Sequence, residues 1–469
     1  MIPTGYRNDY NAMQQELAAA EYEYLSGSQP KLDLTRIYSR YSDLWRLSTI
    51  EELKAARANS FERDRVDRLW STAHEMRIRY TMRELDAALE QTELTQLRAR
   101  MASEAMKDRR SRLYRAYIDL IASRNDLRQE RLEQLRELAQ KAGYSSPLEL
   151  YREVRRVDYT ALDAQMQQFL AHTERIYTIA QKARSRRLHA DAHRSDSLYF
   201  LAITEFDLLY SPDKLLPAWR ETMSEMGIRT YAQRELEVGR RVRRDIGTFA
   251  VGLSIPERVY LGIHPELGGL RGYEQFFHTS AKAELMAYTS PQLQMEFKYA
   301  GDKALEEGYG LLLASIVTDP AWLERTGNAR HPGELTHLVA LVRLARLRYW
   351  ATLLHYELSL YTTGGDSDAY AEAMSTATGF TFEGVEHLVQ PALESAYRLQ
   401  GAIFEALLRD YMMTRYGRAW WTNTRAGSFL KELWNNGYRY SATELAAQIG
   451  LGSFVPDPLE IDLLFRLKV

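Results

Sequence analysis

Only one short part of this chain is rich in strand-forming residues, and that limits the folds open to it more than any other feature. Between Gly247 and Ile263 two runs, Thr248 to Val251 and Arg258 to Ile263, combine β-branched and aromatic residues and are split by Ile255-Pro256. Almost everything else places apolar residues at three- and four-residue spacing, the period of an amphipathic helix. The expected fold is therefore mainly α, with one small sheet set in the middle of the chain.

Helices are expected over Tyr10 to Ser26 and Leu34 to Arg46, and a third after a Ser48 or Thr49 cap with Glu51 and Glu52 in its first turn. Phe61 to Gln140 reads as two or three long helices, with Leu69, Met76, Ile78, Met82, Leu85 and Leu89 on the apolar side. Arg and Glu interleave on the polar faces, as from Arg128 to Arg136, which is the pattern of a solvated, salt-bridged face and not of a nucleic-acid-binding arm. Ser146-Pro147 starts a further helix, another spans about Thr160 to Arg187, and Asp213 to Met226 stops at Gly227. Downstream, helices are expected over Asp302 to Val317, closed by Asp319 to Trp322, and from His331-Pro332 to Tyr361. Thr362 to Asp366 is a Gly-rich turn, and a last short helix ends near Gly450.

Composition removes several classes of function. The formal net charge of -2 provides no global basic field for nucleic acid or an anionic membrane surface. With no Cys there is no disulfide, no thiolate metal site and no Cys nucleophile. Met1 to Tyr10 lacks the basic and apolar regions of a signal peptide, and no apolar run reaches the roughly 18 residues of a spanning helix. A cytoplasmic protein without membrane insertion is the expectation.

The chemistry-bearing stretch is Gly272 to Glu284, directly after the strand region. Its positions His278, Thr279, Ser280, Ala281 and Lys282 lie where a zinc-peptidase helix carries His-Glu-x-x-His. In the intact motif two His one turn apart hold the metal and the Glu is the general base on its bound water. Here the first His is present, the base position is Thr279 and the second-ligand position is Lys282. One His leading a helix is by itself ordinary core or surface chemistry. His189 and His193, four apart, lack a third donor at a fitting offset and read as ordinary polar residues.

The order of features is more telling than any one of them. Long N-terminal helices, a strand pair, Gly268-Gly269, Tyr273, the apolar pair Phe276-Phe277 and a His-bearing helix are followed by Glu-Glu-Gly-Tyr-Gly at Glu306 to Gly310 and Asp319-Pro-Ala-Trp-Leu. This resembles the thimet oligopeptidase and oligoendopeptidase family of zinc metallopeptidases, of the gluzincin type, most clearly from about Phe206 to Leu323. The resemblance implies a large helical fold with a central cleft and a small sheet beside the zinc-type helix. It implies an N-terminal helical region over residues 1–205 and a peptidase-like region over 206–469, together one continuous unit. Carried over by position, the first His ligand falls on His278, the general-base Glu on Thr279, the second His ligand on Lys282 and the third ligand, a Glu, on Glu307. The spacing of His278 from Glu307 fits that register. Late His and Tyr side chains bind the transition state in that family, and Tyr438 and Tyr440 are the candidates here.

Thr279 has no group that takes up a proton near neutral pH, Lys282 puts an ammonium beside any cation, and His278 with Glu307 leaves two ligands where a catalytic zinc needs three. No cofactor is therefore expected, although the family's cofactor is zinc. Lys282 is expected to replace the metal by pairing with Glu307. The leading expectation is a pseudo-peptidase that keeps a peptide- or partner-binding cleft. The alternatives are an active peptidase or other hydrolase with a non-standard centre around His278, Lys282 and Glu307, and a regulatory subunit of an active metallopeptidase.

Overall fold

The computed structural model describes every residue except 1, 3, 60–62, 91, 229–234, 327–331, 390–391 and 469. Helices dominate the described residues, and a single three-stranded sheet lies between Leu236 and Ile263. Several helices begin where a short polar side chain accepts a backbone N–H of the first turn, an interaction legible in the sequence. Ser146 caps Pro147–Arg155, Asp158 caps Tyr159–Arg187, and Ser441 with Glu444 forms a complete capping box on Ala442–Gln448.

The differences from expectation have tertiary causes. The region from Phe61 to Gln140 holds four helices, Arg63–Leu89, Thr92–Ser103, Lys107–Ala122 and Asn125–Lys141; Phe61 itself lies outside the described residues. The break before Lys107 is held by Arg110, whose guanidinium donates to the carbonyls of Glu104 and Ala105 and pairs at 2.7 Å with the buried carboxylate of Asp196. The Asp319 segment is a helix of its own, Pro320–Arg325, and the helix expected from His331-Pro332 runs over Pro332–Leu360, with His331 outside the described residues. His189 and His193 are ordinary polar residues, as expected: His189 has φ 48° in a turn and His193 caps the next helix by accepting the Ser195 N–H. The chain also does not end its helices near Gly450. Asp457–Leu467 is helical, with Leu459, Leu463 and Leu467 buried; a Pro in the first turn does not interrupt a helix, because the N–H it lacks is unpaired there anyway.

The sheet has the order β1-β3-β2, with β1 Leu236–Gly239, β2 Thr248–Ser254 and β3 Arg258–Ile263. Strands β2 and β3 form the expected antiparallel pair, with Val251 opposite Tyr260. Strand β1 joins parallel to β3 and was not expected; four residues, Leu-Glu-Val-Gly, are too short to display an alternation. On one face Phe249 stacks on Tyr260 with ring centroids 5.6 Å apart, and Tyr22 of the Tyr6–Leu25 helix meets the Tyr260 ring edge-on at 4.9 Å.

The chain forms two compact units, each assembled from three segments. The first comprises Met1–Arg77, Glu205–Gly333 and Gln400–Phe454, and the second Ile78–Thr204, Glu334–Leu399 and Val455–Val469. The sheet and every candidate site residue belong to the first unit. Among the described residues no helix is long and apolar enough to cross a membrane.

Candidate functional site

His278 lies near the middle of its helix, Gly269–Tyr288, not at the start. The helix opens earlier than the local sequence suggests because Asp207, distant in sequence, accepts the Leu270 N–H at 2.9 Å and supplies the missing cap. Leu270, Tyr273, Phe276, Phe277, Ala281 and Leu285 form the buried face. Ser280 is fixed on that face, its hydroxyl donating to the Phe277 carbonyl and accepting the Trp219 indole N–H at 2.9 Å. His278, Thr279 and Lys282 are left on the half-buried side.

That side faces the helix Lys303–Ile316. Three glycines allow the approach. A Cβ on Gly310 would lie 2.4 Å from the His278 Nε2, one on Gly308 would lie 2.5 Å from the Phe404 ring, and one on Gly401 would lie 2.7 Å from the Glu307 Cβ. The Glu306 to Gly310 run is thus a wedge, with the imidazole lying flat on Gly310 and the Glu307 stem lying on Gly401 of the helix Glu394–Tyr416.

Two polar contacts cross from one helix to the other. His278 Nε2 is 3.4 Å from Glu307 Oε2, and Lys282 Nζ is 3.3 Å from Glu306 Oε2. His278 and Lys282 are one turn apart, whereas Glu306 and Glu307 are adjacent and diverge by about 100° around their helix axis. Each basic group therefore meets a different carboxylate, and the ammonium expected on Glu307 is paired with Glu306. Tyr438 joins from the C-terminal part of the unit, its hydroxyl donating at 2.6 Å to the other oxygen of Glu306. The charge of Glu306 raises the Lys282 ammonium above its ordinary value, with a smaller contribution from Glu21, against the opposing effect of burial. Lys282 is consequently a protonated cation, the opposite of the lowered pKa that a lysine base or nucleophile needs.

Tyr438 is held in place by several parts of the fold. Its ring covers Gly301, where a Cβ would lie 2.0 Å from the ring, and its N–H donates to the Phe297 carbonyl at 2.8 Å. Asp302 ties the two segments together: Oδ1 accepts the Ala304 N–H and Oδ2 the Ala442 N–H, both at 2.9 Å, so one carboxylate caps two helices. Burial raises the Tyr438 hydroxyl well above its ordinary value, with Glu306 adding to the shift, so it stays a neutral donor. Tyr440 is half-buried, with the Arg439 guanidinium over its ring. The Thr279 hydroxyl donates back to the Gln275 carbonyl at 2.8 Å, a helix-internal bond with no acid-base capacity.

The donor set does not fit zinc. One imidazole and one carboxylate face each other, the next position on the His278 helix is an ammonium, and no group of three His, Asp or Glu among the described residues could hold a metal ion. Sequence reasoning missed Glu306, Asp302, Gly310 and Gly401. The doubled acid at Glu306-Glu307 was a visible signal for two partners, but the bond from Asp302 to Ala442 and the contact of Gly401 with Glu307 are tertiary.

No protein-family model and no curated protein matches the chain. Solved structures do. Metallocarboxypeptidase 1 of Trypanosoma cruzi superposes with a TM-score of 0.67 at 11% identity over 99% of each chain. The chain shares this fold. A Pyrococcus furiosus carboxypeptidase matches with a TM-score of 0.65 at 10% identity over 98% of this chain and 97% of its own. A structure described as an oligoendopeptidase F of Bacillus anthracis matches at 0.61 and 12% identity, over 97% and 88%. The likeness of fold thus includes the oligoendopeptidases that the residues resemble and extends to carboxypeptidases. At these identities it is a likeness of architecture, and the chemistry has to be argued from the side chains.

Proposed function

We propose that this chain is a metallopeptidase-fold protein that binds a peptide or a partner protein without zinc and without hydrolysing it. The observation that carries this reading is the Lys282–Glu306–Tyr438 chain, which fills the second-ligand position with a cation already paired and hydrogen-bonded. An ammonium there repels a divalent ion, and replacing Glu by Thr279 removes the general base, a loss on the order of 10² to 10⁴ in rate. Calorimetry with unstructured peptides, run beside a cleavage assay with and without Zn²⁺, tests it. Binding without turnover and substoichiometric zinc by elemental analysis are expected; metal-dependent cleavage abolished by His278→Ala would overturn the proposal.

A second reading is favoured by one contact. His278 and Glu307 have the geometry of a base oriented by a carboxylate, with the Lys282 charge nearby. In that case hydrolysis of a peptide or ester would persist in a chelator and fall with Glu307→Gln as well as with His278→Ala.

A further inference from the structure

Away from this site, in the second unit, lies a buried acid on the helix Pro332–Leu360. Glu357 is fully buried, and its carboxyl group is turned onto the segment that leads into the helix Glu394–Tyr416. Oε1 accepts the Leu393 N–H at 2.9 Å, and Oε2 meets the hydroxyl of Ser395, itself fully buried. The two residues entering that helix, Ala392 and Leu393, have φ of 48° and 59°, left-handed values that side chains with a Cβ resist. Side chains from other helices hold them there. The Ala392 N–H donates to the Tyr361 hydroxyl at 2.8 Å, and Arg155 donates to the Ala392 carbonyl at 2.5 Å.

We propose that Glu357 is a pH-sensitive latch: in its protonated form it holds Ala392 and Leu393 in their left-handed conformation, and its ionisation at alkaline pH releases them and frays the first turn of the Glu394–Tyr416 helix. A neutral carboxyl group can remain in this dry position, still joined to Ser395 by one O–H···O bond while its other oxygen takes the Leu393 N–H. An ionised one gains most by reaching water.

Burial pushes Glu357 up to about 8, against the hydrogen bonds of Ser395 and Leu393 and the charge of Arg155, which pull it down; Glu394 adds to the rise. The other titratable groups nearby are tyrosines, Tyr361 and Tyr349 on the same helix and Tyr151 from the Pro147–Arg155 helix, with Arg131 acting on Tyr361. Burial raises Tyr361 and Tyr349 above their ordinary range, so both stay neutral through the relevant interval. The folded value of Glu357 lies above its unfolded value. Its contribution is therefore complete below the ordinary carboxyl range, declines as pH rises, and is gone above about 8.

The test is hydrogen exchange of residues 392–399 from pH 6.5 to 9.5, corrected for the intrinsic base-catalysed rate. Protection in the natural protein is expected to fall about tenfold per pH unit as the pH rises to about 8 and to level off above it, while Glu357→Gln, which cannot ionise, holds its protection flat. Ser395→Ala removes a hydrogen bond that favours the charged form, and should move the midpoint to higher pH. Protection of the natural protein that stays flat with pH, or a Glu357→Gln protein with the same pH dependence, overturns the latch. Should Glu357→Gln not fold, an unmoved midpoint in Ser395→Ala overturns it instead.

Discussion

Gly401→Ala separates what helix propensity says about this protein from what packing says. Propensity alone makes the change favourable: Ala in a helix interior is better than Gly by roughly 0.5–1 kcal/mol. The structure predicts the opposite sign. The new methyl would sit 2.7 Å from the Glu307 Cβ and Cγ and 3.1 Å from the Ala304 carbonyl oxygen. Cβ cannot rotate away, so the two helices must separate by about 1 Å to restore ordinary carbon contacts of about 3.5–4.0 Å. Overpacking of this kind costs about 1–3 kcal/mol, leaving a net loss of up to about 2.5 kcal/mol after the propensity gain. Gly333→Ala is the control, because nothing lies within 4 Å of a Cβ there. Urea unfolding of both variants measures the difference. Gly401→Ala is expected to have the lower midpoint and Gly333→Ala a midpoint equal to or above that of the natural protein. A Gly401→Ala protein as stable as the Gly333→Ala protein would refute the wedge described for Glu307.

The site makes further predictions. Tyr438→Phe removes a short bond from a buried hydroxyl to a charged acceptor, and should destabilise by about 1.5–3 kcal/mol in chemical denaturation. Lys282→Met should cost less, about 0.2–1 kcal/mol, because the Lys282 side chain is 43% exposed and its ion pair with Glu306 is screened; a loss larger than that of Tyr438→Phe would contradict this ranking. Asp302→Ala removes the caps of two helices at once, each worth about 0.5–2 kcal/mol, and should raise proteolytic sensitivity around Tyr438. Combining Thr279→Glu with Lys282→His supplies a third ligand beside His278 and Glu307, so the double variant should take up about one zinc per chain, read by elemental analysis. Zinc content no higher than in the natural protein would show that the two helices do not hold the ligand register inferred here.

Much of the architecture follows from properties each segment carries alone. Three- and four-residue periodicity marks helices such as Tyr159–Arg187 and Lys303–Ile316, and Asp158, Asp302 and Ser441 announce where helices start. The β2–β3 pair was legible because its residues fit no helix, whereas β1 was too short to carry a pattern and exists because β3 offers it a free edge. That His278, Thr279 and Lys282 share one helix and Glu307 lies on another was legible for the same local reason, because helical periodicity is carried by each segment alone.

The pairing among those residues could not be read from spacing, because it depends on how two helices are rotated against each other. Once the His278 ring lies on Gly310, adjacent carboxylates one residue apart point to different partners, and Lys282 meets Glu306 in place of Glu307. The same holds for Asp207 capping a helix more than sixty residues away in sequence, for Tyr438 reaching Glu306, and for Glu357 gripping Leu393. The sequence by itself determined which residue types are present and which segments are helical, since those depend on local backbone sterics and periodicity. Only the tertiary structure decided which charges meet and which are buried, because Coulomb energy and desolvation depend on distances and solvent access that no single segment defines.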